Sequence, residues 1–130
     1  MKRKYLDDLG IKDRHDLWNP NDNRQSIWQR QRREYGFDER ETWSLDSAFY
    51  LWLYERLKMY LEYASKIVNL DFHEFVYKGE KYTQKQLINM MIERLENYFA
   101  NKYDTESEEE SSRLDEVAEI WALVLPAMWW

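Results

Sequence analysis

From Trp43 to Val68 the chain repeats apolar side chains at helical intervals. Leu45, Ala48, Phe49, Trp52, Leu53, Leu57, Tyr60, Leu61, Ala64, Ile67 and Val68 fall three or four residues apart, which places them on one wide face of an α-helix. Glu55, Lys58, Glu62 and Lys66 occupy the other side, and Glu62 with Lys66 has the i,i+4 spacing of a weak helix-surface pair. Thr42 or Ser44 stands where an N-cap is needed, and Asp46 lies in the first turn, where a negative charge meets the positive end of the helix dipole. So long a stripe must be buried by neighbours, and the rest of the chain is suited to supply helices. Only three Gly and two Pro interrupt 130 residues, whereas a sandwich of short strands needs frequent turns.

Three further helices are predicted. Residues 24–35 are good or neutral helix formers, with Arg32 and Arg33 near the end that favours cations and Gly36 at the expected C-cap. Residues 83–100 open on Thr83-Gln84-Lys85-Gln86, the spacing of a capping box, and carry the stripe Leu87, Ile88, Met91, Ile92, Leu95, Tyr98 and Phe99. A last helix starts at Ser111 or Ser112 and runs to about Leu125, with Leu114, Val117, Ala118, Trp121 and Val124 as its stripe and Pro126 as its stop. Residues 69–82 break the pattern. Phe75, Tyr77 and Tyr82 around Lys78-Gly79-Glu80 suit either a small hairpin or an ordered loop, since a lone two-stranded ribbon is marginal. Residues 1–23 read as an irregular or briefly helical arm, docked only through Tyr5, Leu6, Leu9, Ile11, Leu17 and Trp18. Residues 101–110 read as an acidic connector. The expectation is one all-α domain over 1–130, a small three- to four-helix bundle with an irregular N-terminal arm and an aromatic C-terminal tail.

The bulk charge narrows the function classes. A net charge of −6 has the wrong sign for strong nonspecific nucleic-acid binding. No run approaches the ~20 apolar residues of a membrane span, and no apolar segment follows the basic Met1-Lys2-Arg3-Lys4 as a signal peptide requires. With no Cys, thiolate metal sites and cysteine nucleophiles are excluded, and a reducing cytoplasmic setting is compatible. None of the HExxH, GxSxG, GxxxxGK[ST] or GxGxxG motifs occurs. His73 stands beside Asp71 and Glu74, residue types that bind metals or act as bases, but three polar residues in one loop are more simply solvated. Glu106, Glu108, Glu109 and Glu110 lack the alternating ligands and turn glycine of an EF-hand. The expectation is therefore a protein that is no enzyme, with no cofactor and no metal.

Seven Trp and ten Tyr are the unusual feature. Most must fill the core, yet Trp18, Trp28, Trp43, Trp129 and Trp130 lie outside the best-patterned stripes. Trp, Tyr and Arg dominate interface hot spots, and rings stack on nucleobases while Arg holds phosphates. Arg32, Arg33, Trp43, Arg56 and Tyr60 are the candidate partner- or ligand-binding residues, Arg56 lying one turn from both Trp52 and Tyr60. Three readings result. One is a binding protein for a host protein. Another is a sequestering binder of a small, anionic, nucleotide-like molecule, through Arg32, Arg33, Arg40 or Arg56. The third is a virion structural or assembly component. Ala127-Met128-Trp129-Trp130 must either fold back on the core, the favoured expectation, or pack on a partner, so self-association is a live alternative.

One stretch also carries a resemblance. Gly36-Phe37 followed by Thr42-Trp43-Ser44-Leu45-Asp46 looks like a "GF…TWSLD" signature of small bacteriophage proteins. There it precedes a long helix with an R-L-K element, here Arg56-Leu57-Lys58, and the chain closes on a tryptophan-containing tail. The likeness covers residues 36–66 and, loosely, the C-terminus. It implies a phage origin and no mechanism; given that origin, the expected binding protein acts on a host factor in the host cytoplasm, in host takeover or anti-defence.

Overall fold

The computed structural model describes residues 4–10, 21–100 and 108–130, the side chains of 108–112 excepted. His15, Leu17 and Trp18 of the expected arm and most of the acidic connector lie outside the described residues. Five α-helices and one hairpin are found among the described residues: α1 (Lys4–Asp8), α2 (Gln25–Tyr35), α3 (Leu45–Ala64), β1 (Glu74–Tyr77), β2 (Glu80–Thr83), α4 (Gln84–Ala100) and α5 (Glu108–Val124). The chain divides into two compact units, Met1–Leu53 and Tyr54–Trp130, so α3 gives its first half to one and its second half to the other.

In the first unit α1 is a single turn that buries Tyr5 and Leu6. The arm is thus briefly helical at its start. α2 ends as its sequence requires. Gly36 adopts the left-handed conformation, φ 87°, and its N–H donates to the Arg32 carbonyl. A 3₁₀ turn, Glu39–Thr42, then leads to α3. Ser44 supplies the carbonyl that takes the first helical bond, from the Ala48 N–H at 3.1 Å. The capping carboxylate is Asp46, which accepts from the Ser47 N–H at 2.8 Å and from the Ser44 hydroxyl at 2.9 Å.

The second unit is built on α4 and α5, which make its most extensive helix pairing. All seven residues of the expected α4 stripe are buried. The capping box is present, with the Thr83 N–H donating to Gln86 Oε1 at 2.8 Å and the Gln86 N–H to Thr83 Oγ1 at 3.2 Å. Tyr54 of α3 packs edge-on against Phe99 of α4, centroids 5.5 Å apart, and its hydroxyl donates to Glu96 at 3.2 Å.

Three expectations are corrected. The fold is mostly helical but not all-α: β1 and β2 pair antiparallel, with Glu74 opposite Thr83 and Tyr77 opposite Glu80. Lys78 and Gly79, at φ 52° and 80°, form a two-residue loop with both residues left-handed, the geometry that matches strand twist. The ribbon does not stand alone. Tyr77, buried, donates its hydroxyl to Glu119 of α5, Lys78 pairs with Glu116 at 2.8 Å, and Arg94 of α4 reaches Glu116 at 2.7 Å. Second, the α3 stripe is misplaced. Leu51 and Tyr54 are buried, while Leu45, Trp52 and Ile67 are exposed. α3 is apolar on most of its circumference, so periodicity does not select one face. It also ends at Ala64 rather than Val68. Ser65 bonds back to the Leu61 carbonyl and Ile67 N–H donates to Ala64, closing tight turns. Third, on α5 Ile120 is buried with Leu114, Val117 and Val124, whereas Ala118 is exposed.

Candidate functional site

The densest group of chemically active side chains in the first unit surrounds Trp28. Two copies of the pattern Asp-x-Arg flank α2 in sequence, Asp22-Asn23-Arg24 and Asp38-Glu39-Arg40. Each folds into the same local clamp. Asp22 accepts from the Arg24 N–H at 2.9 Å, from Nε at 3.0 Å and from Nη2 at 2.9 Å. Asp38 accepts from the Arg40 N–H at 3.0 Å, from Nε at 3.0 Å and from Nη2 at 2.8 Å. Both guanidinium groups then lie against the Trp28 indole, Arg24 at 5.0 Å and Arg40 at 4.3 Å from the ring centroid. The Arg40 contact is desolvated, Arg40 being only 3% exposed, and such contacts contribute about 2 kcal/mol or more, whereas the more exposed Arg24 contributes less.

Trp28 is fully buried, and its Nε1–H donates to Glu39 at 3.0 Å. The Glu39 N–H is in turn held by the Gln31 side chain at 2.9 Å. Trp43 meets Trp28 edge-on at 6.0 Å and lies 5.3 Å from the Arg24 guanidinium. Asp38 and Arg40 are both buried, and Arg32 adds a second guanidinium to Asp38, Nε at 3.0 Å.

This geometry sorts the candidate residues. Arg32 and Trp43 belong to the cluster. Arg33 is exposed on α2 and makes no ion pair among the described residues. Arg56 and Tyr60 sit on α3 in the second unit, Arg56 exposed and Tyr60 half-buried. The Tyr60 hydroxyl accepts from the buried Gln84 amide at 3.1 Å, and burial raises its pKa. The five candidates are thus divided between the units, Arg32, Arg33 and Trp43 in the first and Arg56 and Tyr60 in the second. Sequence reasoning missed Asp38, the carboxylate on which Arg32 and Arg40 converge. The repeated Asp-x-Arg spacing was the available signal.

Chemically the cluster is matched within itself. Asp22 engages Arg24, and Asp38 engages Arg32 and Arg40, so these three cations are committed to carboxylates. Among its exposed side chains the first unit also presents apolar and aromatic ones. Tyr35 and Phe37 lie either side of Gly36 with ring centroids 6.4 Å apart, 66% and 48% exposed, and Trp43 and Leu45 are exposed as well. In the second unit His73 is exposed, touched edge-on by Phe72 at 5.2 Å, and the neighbouring Asp71 is engaged by the Thr83 hydroxyl at 2.8 Å. Among the described residues no helix is long and apolar enough to cross a membrane. Comparison with known proteins finds no match: no protein family, no curated protein and no solved structure aligns with the chain.

Proposed function

We propose that the protein is a non-enzymatic binding protein that recognises a partner protein through exposed aromatic side chains of its first unit. The resemblance to phage proteins supplies the class of partner, a host factor in the cytoplasm. The observation that carries the reading is the Tyr35–Phe37 pair. Two rings held together at a helix terminus, in water, just after Arg33, which makes no ion pair among the described residues, have the composition of an interface hot spot. The Gly36 N–H bond to the Arg32 carbonyl sets the course of the backbone between them.

The sequestering reading loses its strongest residues, because Arg32 and Arg40 are neutralised by Asp38 and an anionic ligand would have to displace a buried carboxylate. The test is affinity capture from host lysate with the wild-type chain and with a Tyr35→Ala, Phe37→Ala double variant. The expected outcome is a partner retained in stoichiometric amount by the wild type and lost, by a factor of about a hundred or more, with the variant. Identical retention by both, at unchanged helicity, would overturn the assignment. A small-molecule adduct in native mass spectrometry would restore the sequestering reading.

A further inference from the structure

The second half of α5 is built for more burial than its own unit provides. From Ile120 to Trp130 no residue is charged, so the segment is apolar on all sides, which in a helix signals cover on all sides. Yet only Ile120 and Val124 reach the core, and Ala118, Ala122, Leu125 and Pro126 are exposed. Ala118 and Ala122 on α5 and Leu125 in the turn after it recur at helical intervals, with Asp115 one turn before them and the exposed Glu119 beside them. The chain turns at Leu125–Ala127, tethered by the Gln84 amide on the Ala127 carbonyl at 3.4 Å. It then leads into Trp129 and Trp130, 73% and 59% exposed. The expected folding back stops at the tether and leaves both indoles in water.

We propose that this face pairs two copies of the chain, α5 against α5 in antiparallel sense. At roughly 150–250 Å² for each aromatic side chain, Trp129 and Trp130 with the exposed Ala118, Ala122, Leu125 and Pro126 present on the order of 500 Å² per copy. Two copies then cover about 1,000 Å², the size at which specific interfaces begin. The alanines let two helix backbones approach closely, and a two-fold axis needs the same small residues on both sides. Charge sets the direction. Antiparallel pairing opposes the helix dipoles and keeps the two Asp115 carboxylates apart. Parallel pairing would set Asp115 against Asp115. An anionic membrane is the poorer occupant, because no Lys or Arg follows Arg113 and interfacial helices depend on basic residues. The pairing uses none of the residues on which the proposed function rests.

The experiment is light scattering and sedimentation equilibrium on the full chain, from low micromolar to a few hundred micromolar. The expected mass is twice 16.2 kDa, falling to the single-chain value on dilution. Ala122→Glu sets a carboxylate against its own copy in the contact and is expected to weaken pairing by about a hundredfold at unchanged helical circular dichroism. Leu125→Glu is the second variant, should the first fail to fold. The chain has no thiol of its own, so Ala122→Cys is expected to give a covalent dimer on mild oxidation, while Lys85→Cys on α4 stays single. The Tyr35→Ala, Phe37→Ala variant is expected to keep the dimer mass, which separates this inference from the proposed function. A single-chain mass at every concentration, a dimer that withstands both α5 variants, or co-sedimentation with phosphatidylglycerol vesicles in place of self-association would overturn the proposal.

Discussion

A carboxylate out of reach of water is tolerated only when its oxygens are matched, and Asp38 meets that condition with Arg40, Arg32 and a backbone N–H. Removing it leaves Arg40, only 3% exposed, without its counter-charge against the Trp28 ring. Asp38→Ala is therefore expected to destabilise the chain by about 3–5 kcal/mol, read from urea denaturation. Asp38→Leu combined with Arg40→Met removes both buried charges and is expected to lose less than the single replacement, since the one cation left without a carboxylate, Arg32, is exposed to water. If the double variant is the weaker of the two, the pair itself contributes net stability. Asp22 and Arg24 make the same local bonds, but Arg24 is 43% exposed on its side chain, so Asp22→Ala is expected to lose far less than Asp38→Ala.

Secondary elements were legible in the sequence wherever local chemistry and burial agreed. α4 begins at its capping box and buries the stripe its spacing predicts, and α2 ends where Gly36 permits a left-handed residue. The sequence alone does not decide the hairpin against a loop, because a lone two-stranded ribbon is marginal. Lys78 occupies φ 52° at some energetic cost, held by Glu116. That contact comes from a helix 38 residues away, which no local reading detects. For the same reason the Trp28 cluster was half-seen. Arg32 and Trp43 stand out by residue type, whereas Asp38 becomes central only once the 3₁₀ turn brings it beneath α2. Lys78→Asn, which suits the left-handed region better but loses the Glu116 pair, is expected to change the melting temperature little. Gly79→Ala, with φ 80° and nothing gained, is expected to destabilise by about 1 kcal/mol. Both are checked by thermal melting.

For the molecule as a whole, pH is the variable that reads several of these contacts together. The bond from Lys78, aided by Arg94, lowers the Glu116 pKa. Its contribution is complete above the ordinary glutamate value of about 4.3 and is lost as pH falls through the lowered folded value. Tyr77 is shifted upward, by burial first and then by its bond to Glu119, and burial raises Tyr60 likewise. Their contribution is complete below the ordinary tyrosine value of about 10 and is lost as pH rises through the folded values. Melting temperature against pH is therefore expected to fall at both ends. Glu116→Gln should flatten the acid limb and Tyr77→Phe the alkaline one. Limbs unchanged by these variants would place the titrating groups elsewhere.

The unequal exposure of the tryptophans has an optical consequence. Indole emission moves to longer wavelength as water reaches the ring. Trp28, enclosed between two guanidinium groups, must redden when the chain unfolds. Trp129 and Trp130 already face solvent and can only turn bluer when something covers them. Association at α5 and loss of the fold thus shift the unlabelled protein's own emission in opposite directions, so one spectrum taken along a dilution or denaturant series separates the two events by sign.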